Sequence, residues 1–150
     1  MKVHLITYGC KANQYDTETF RQELEARGAE IVDSPEKADA CVVNTCTVTH
    51  KADRTARKGI RSAKRDNPDM KVVVAGCSAA QRPEDYVEMD EVFEVVGGHD
   101  QVEVADSIAP EAPYLEVDEE PVGAELLGEH KPRTRGWIKV QDGCDRNCAF

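Results

Sequence analysis

The sequence predicts an α/β fold built on a doubly wound parallel sheet of about five strands. Three observations predict it. From residue 3 to residue 108, short apolar runs alternate with longer charged segments of helical spacing. The runs ACVVN and KVVVA are apolar almost throughout, the pattern of strands covered on both faces. Glycine or proline stands at most of the boundaries between runs.

Val3–Tyr8 (VHLITY) is rich in strand formers and ends at Gly9-Cys10. Asn13 to Arg27 then carries Tyr15, Phe20, Leu24 and Ala26 among charges at helical spacing, and stops at Gly28. Ala29–Val32 is a short strand, and Ser34 to Asp39 supplies a cap, a proline and about one helical turn. Ala40–Asn44 is a fully buried strand closed by Thr45-Cys46. The charged stretch Thr49–Arg65 is a helix halted by Asn67-Pro68. Lys71–Ala75 is another buried strand, ending in Gly76-Cys77. Pro83–Met89 is helical, Val92–Val96 is the last strand of the series, and a short helix near Gln101–Ile108 follows Gly97-Gly98. This order of elements suggests a flavodoxin-like domain over residues 1–109. Between Pro110 and Pro132 there are four prolines and an acidic run (Glu116, Asp118, Glu119, Glu120), so residues 110–136 read as a linker. Trp137–Gln141 is one new strand, and residues 137–150 begin a second, unfinished domain.

The 150 residues leave room for one ordinary domain and a tail. A formal charge of -10, from 29 acids against 19 bases, argues against a polyanion as the partner of the chain as a whole. The apolar run at the N-terminus is too short for a signal peptide, and no stretch has membrane-spanning length. A soluble, cytoplasmic protein without membrane contact is expected. Six cysteines are many for such a chain, and a disulfide framework belongs to small secreted domains. Metal ligation or redox chemistry is the better reading.

Cys10, Cys46 and Cys77 each follow the carboxyl end of a predicted parallel strand, and in an open α/β sheet those ends share the ligand-binding edge. The helix N-termini that follow favour thiolate over thiol. Gly9 and Gly76 let the backbone approach a bulky inorganic group. Three thiolates without a histidine or carboxylate ligand suit an iron–sulfur cluster with one open iron better than zinc. Cys41 lies inside its strand and reads as core. His4, His50, His99 and His130 show no metal-ligand spacing and read as solvated or structural. Cys144 and Cys148, with Ala149-Phe150 behind them, look like the first two members of a three-cysteine cluster loop.

A basic stripe stands out in this acidic chain. Residues 50–65 hold seven Lys or Arg against Asp53 alone. Lys51, Arg54, Lys58, Arg61 and Arg65 follow steps of three and four, so they share one helix face beginning near Cys46. A phosphate backbone could lie along it, and a solvated face is the competing reading.

TYGCKANQYDTE, VVNTCTVTHKADRTARK, VVVAGCSAAQ and WIKVQDGCDRNCAF together resemble the methylthiotransferase family of radical S-adenosylmethionine enzymes. The resemblance covers nearly the whole chain, and Lys11, Asn13, Gln14, Tyr15 and NTCTVTHKADR are most similar to the branch acting on threonylcarbamoyl-adenosine at position 37 of tRNA. The resemblance implies that Cys10, Cys46 and Cys77 bind an auxiliary [4Fe-4S] cluster, and that Cys144 and Cys148 are two of three ligands of a radical cluster in a barrel that the chain only begins. It implies two molecules of S-adenosylmethionine. One donates the methyl group to a sulfur; the other yields the radical that takes hydrogen from C2 of the adenine, where the methylthio group then joins. The chain is expected to carry the auxiliary site and to be inactive alone. The competing readings are a methylthiotransferase for isopentenyl-adenosine tRNA or a ribosomal protein, and a non-catalytic iron–sulfur or zinc module.

Overall fold

The computed structural model describes residues 1–47 and 50–110. The predicted linker beyond Pro110, the strand Trp137–Gln141, His130, Cys144 and Cys148 lie outside the described residues. Five parallel strands, β1 (Lys2–Thr7), β2 (Glu30–Val32), β3 (Ala40–Thr45), β4 (Lys71–Gly76) and β5 (Glu94–Val95), form one sheet in the order β2-β1-β3-β4-β5. That order is the doubly wound one, with its switch point between β1 and β3. β3 pairs with β1 from Ala40 opposite Val3 to Asn44 opposite Thr7, and with β4 from Ala40 opposite Lys71 to Thr45 opposite Gly76. As the central strand, β3 is buried at every position, which is why its sequence shows no alternation.

Among the described residues, four α-helices lie between strands, α1 (Lys11–Ala26), α2 (His50–Asp66), α3 (Cys77–Gln81) and α4 (Glu84–Val87), a 3-10 turn at Pro35–Lys37 joins β2 to β3, and α5 (Gln101–Ile108) follows β5. On one face of the sheet, Phe20 and Leu24 of α1 and Val104, Ala105 and Ile108 of α5 pack on Val3, Val42, Val73 and Val96. On the other, Ile60 and Ala63 of α2, Ala79 of α3 and Tyr86 of α4 pack on Cys41, Val43, Val72 and Val74. Each large apolar side chain removed from water in these two layers contributes about 1.5–3 kcal/mol. Arg27, just past α1, ties the first layer together by pairing with Glu23 at 2.8 Å and with Asp106 of α5. α5 is capped by Asp100, whose Oδ1 accepts from the backbone N–H groups of Val102 and Glu103.

The helix predicted over Pro83–Met89 is the shorter α4, and α3 before it is a helix the sequence reading did not predict. The strand predicted over Val92–Val96 is shorter, although Phe93 N–H still donates to Val72 and Val96 N–H to Val74. β5 has a neighbour on one side only, so its ends are not held in regular pairing. No helix among the described residues is long and apolar enough to cross a membrane.

Candidate functional site

Gly-Cys follows β1, Cys46 follows β3 directly, and Cys77 opens α3 after β4. Because β1, β3 and β4 are neighbours in the sheet, the three cysteines stand at successive positions along its carboxyl edge. Two glycines let the chain turn there. Gly9 has φ +115°, and a side chain on it would meet Cys46 Sγ at 2.6 Å and Asn13 Oδ1 at 3.0 Å. Gly76 has φ +94°, and a Cβ would come within 2.5 Å of Thr45 O and 2.7 Å of Thr45 N. Both positions combine left-handed backbone with absent space, so only glycine fits without strain.

Beneath the edge runs a buried polar network. Asn13, 1% exposed on α1, donates from Nδ2 to Asn44 Oδ1 at 3.0 Å and to Thr45 O at 2.8 Å. Asn44 donates back to Asn13 O at 2.9 Å and to Thr17 Oγ1 at 3.1 Å. Thr45 Oγ1 donates to Ala75 O at 2.6 Å and accepts from Ala79 N–H at 3.2 Å, linking β3 to β4 and α3. These side chains can keep their polar atoms dry only because each finds a partner, which fixes the loops that carry the cysteines.

Cys10 is exposed and stands at the N-cap of α1, where its Sγ donates to Asn13 Oδ1 at 3.3 Å. Cys46 is 1% exposed and shares with Cys10 the lining of a cavity of about 440 Å³, together with Tyr8, Gly9, Lys51, Ala52 and Thr55. Cys77 is half-buried, and its Sγ lies 3.5 Å from His99 Nε2. The His99 ring holds the Cys77 thiol below the usual thiol range, against burial, which pushes it up. His99 in turn has its Nδ1 3.1 Å from Asp16 Oδ2, an ion-pair contact that lies off the line of a well-formed hydrogen bond. The Asp16 carboxylate and then the Cys77 sulfur raise the histidine to about 10. Cys41 is the core residue expected, wholly buried and pushed up to about 12 by that burial.

His99 corrects the expectation that no histidine stands near the thiols. It follows Gly97-Gly98 at the end of β5, the strand beside β4, so it is the next position along the same edge. The rule that singled out the cysteines passes it over, because His99 stands three residues beyond the predicted strand Val92–Val96 rather than directly at its end. Among the described residues, no three His, Cys, Asp or Glu side chains are grouped tightly enough to hold a single metal ion. The donor set itself is thiol-rich, and Cys10 and Cys46 line an open cavity, which suits a soft, bulky inorganic group.

On α2, Lys51, Arg54, Lys58, Arg61 and Arg65 are all exposed. The other two bases turn inward: Arg57 pairs with Asp53 at 2.6 Å and Asp85 at 3.2 Å, and Lys64 Nζ donates to Met70 O at 2.7 Å. Lys51, Arg54 and Lys58 pair with no acid among the described residues, while Arg61 and Arg65 make loose contacts of 3.7 and 3.9 Å to Glu91 and Asp66. The stripe starts at the cavity, because Lys51 lines it.

Residues 2–98 match the uncharacterized protein family UPF0004. The threonylcarbamoyladenosine tRNA methylthiotransferase MtaB of Rickettsia prowazekii is 34% identical over 155 residues, covering 100% of this chain and 34% of the relative. The protein of the same name from Aquifex aeolicus is 37% identical over 161 residues, covering 100% of this chain and 38% of its own. The tRNA-2-methylthio-N(6)-dimethylallyladenosine synthase of Thermodesulfovibrio yellowstonii is 30% identical over 155 residues, 99% of this chain and 36% of the relative. The chain thus spans little more than a third of the length of these relatives. The family match takes in the entire sheet and the loops bearing Cys10, Cys46 and Cys77, and the chain belongs to UPF0004, the domain at the N-terminal part of methylthiotransferases.

Proposed function

We propose that this chain is the auxiliary-cluster part of a cytoplasmic tRNA methylthiotransferase, with Cys10, Cys46 and Cys77 as ligands of one [4Fe-4S] cluster. The observation that carries the reading is the placement of the three cysteines at the carboxyl ends of adjacent strands β1, β3 and β4. Neighbouring strands lie about 4.8 Å apart, so the outer two of three are about 10 Å apart. Two sulfurs on one zinc ion can be no more than about 4.6 Å apart. Thiols spread over three strands therefore match a cluster of several irons better than one ion.

When bound, the cluster supplies the iron at which the transferred sulfur is held. The chain's own residues do the rest. The glycine turns let the Cys10 and Cys77 loops pack closely against β3 and its end, the Asn13–Asn44 network fixes the loops, and the cavity beside Cys10 and Cys46 gives access. Lys51, Arg54, Lys58, Arg61 and Arg65 offer positive charge to the phosphates of a tRNA whose adenosine 37 is brought to that edge. The substrate is N6-threonylcarbamoyladenosine, methylthiolated at C2; S-adenosylmethionine and a second [4Fe-4S] cluster, with Cys144 and Cys148 as two of its ligands, complete the reaction. The names of the Rickettsia and Aquifex relatives support that substrate, and the Thermodesulfovibrio relative supports dimethylallyl-adenosine tRNA as the second reading.

The test is iron and acid-labile sulfide counting on the anaerobically reconstituted chain. Loss of one cluster's iron in each of Cys10→Ala, Cys46→Ala and Cys77→Ala, but retention of that cluster in a Cys144/Cys148 double alanine variant, is the expected result. Iron indifferent to the first three cysteines would falsify the assignment, and zinc in its place would favour a non-catalytic binding module. Residues 1–150 should not turn over tRNA alone.

A further inference from the structure

Two groups on the sheet edge are neither proposed ligands nor part of the basic stripe: His99 and Asp16. His99 leaves β5 one position beyond Gly98, whose carbonyl accepts from Gly76 N–H at 2.8 Å, so its loop is fastened to the loop that carries Cys77. Asp16 is buried on α1, the helix that starts next to Cys10. Between them the imidazole faces a carboxylate oxygen at 3.1 Å on Nδ1 and the Cys77 sulfur at 3.5 Å on Nε2. We propose that His99 is a positioning residue for the auxiliary cluster, donating an Nε2–H hydrogen bond to the sulfur of Cys77 while Asp16 holds the ring. The proposal rests on the reading that Cys77 is a cluster ligand.

The ring presents Nε2 to the Cys77 sulfur at 3.5 Å, and a ligand sulfur is an acceptor for an N–H at that position. Asp16 Oδ2, 3.1 Å from Nδ1, makes an ion-pair contact that favours this orientation of the ring without a well-aligned hydrogen bond. A hydrogen bond to a ligand sulfur draws negative charge off it. The reduced cluster carries one more electron than the oxidised one, so the bond stabilises the reduced form more and raises the reduction potential. Cys10 has no such donor: its described side-chain partner is Asn13 Oδ1, an acceptor. Among the described contacts, Cys77 and Cys10 are thus unequal, with a ring nitrogen facing the sulfur of Cys77 and a carbonyl oxygen facing that of Cys10.

The test uses a Cys144→Ala/Cys148→Ala background, so that only the auxiliary cluster can load. Iron content and midpoint potential are measured with His99, His99→Leu and His99→Gln. The expected result is full iron in all three, a lower potential in His99→Leu, and recovery of most of the shift in His99→Gln, which keeps an N–H donor. Full iron with an unchanged potential in His99→Leu, or an equal fall in both variants, overturns the inference and leaves the cluster in place. Iron that does not depend on Cys10, Cys46 and Cys77 overturns the cluster reading, and this inference with it. If His99→Leu loses its iron, His99→Gln decides: iron regained supports the hydrogen bond, and iron lost in both overturns it, because the imidazole itself would then be what the site requires.

Discussion

Asp53 lies in the first turn of α2, 5% exposed, and three donors from different elements converge on it. Arg57 Nη2 is at 2.6 Å, Tyr86 Oη at 2.7 Å and Ser78 Oγ at 2.9 Å. Burial pushes the carboxyl up, but the hydrogen bonds from Arg57, Tyr86 and Ser78 together outweigh it and hold the group below its ordinary range. Ser78 follows Cys77 directly, so this one carboxylate also anchors the start of α3. A depressed folded pKa means that the stabilisation is present above the unfolded value of about 4 and is lost as pH falls through the lower folded value. Asp53→Ala strands two hydroxyls and leaves the Arg57 guanidinium with Asp85 alone, and we expect it to cost about 3 kcal/mol at neutral pH. In urea unfolding, the gap between wild type and variant should narrow as pH drops below about 4. Parallel pH profiles would show that the carboxylate is not the group that matters.

α2 separates two jobs on one helix. Its inward face carries Ala56, Ile60 and Ala63 into the core, while the charged stripe stays in water. Reversing Arg54, Lys58 and Arg61 to Glu should therefore change stability by no more than about 0.5 kcal/mol. In a protein of the relatives' length, the same change should weaken tRNA binding and flatten its salt dependence, by about 0.7–0.9 in the log–log slope for each phosphate left unneutralised. Unchanged affinity and slope would leave the stripe as a solvated face. This helix was legible because three- and four-residue steps extend over its 17 residues. α3, five residues long, offers too few turns for any periodicity to be read, so the sequence shows only the helix that starts after it at Pro83. The same limit governs the site. Cysteines that end long apolar strands declare themselves by the strand, whereas His99 follows a strand of two paired residues and looks like any loop histidine. Its partner Asp16 sits in a distant helix, and nothing in the sequence joins them.

At the scale of the whole molecule, the sheet edge is where the chain's distant parts meet. Cys10, Cys46 and Cys77 belong to three strand–helix units, so a group bound to all three would cross-link most of the domain. A ligand held only by the folded arrangement stabilises the entire fold by mass action. We expect anaerobic cluster loading to raise the thermal midpoint of the chain, by about 4–8 °C for each kcal/mol gained in a domain of this size. Cys10 is exposed, so Cys10→Ala should leave the midpoint of the iron-free protein unchanged and abolish the rise on loading. Cys46 is buried against Gly9, so Cys46→Ala should lower the iron-free midpoint as well, by the packing it removes. The two variants thus separate ligation from packing within one experiment. A rise that survives Cys10→Ala would mean that iron binds elsewhere, because ligation across the three strand ends cannot lose one of them and still tie the domain together.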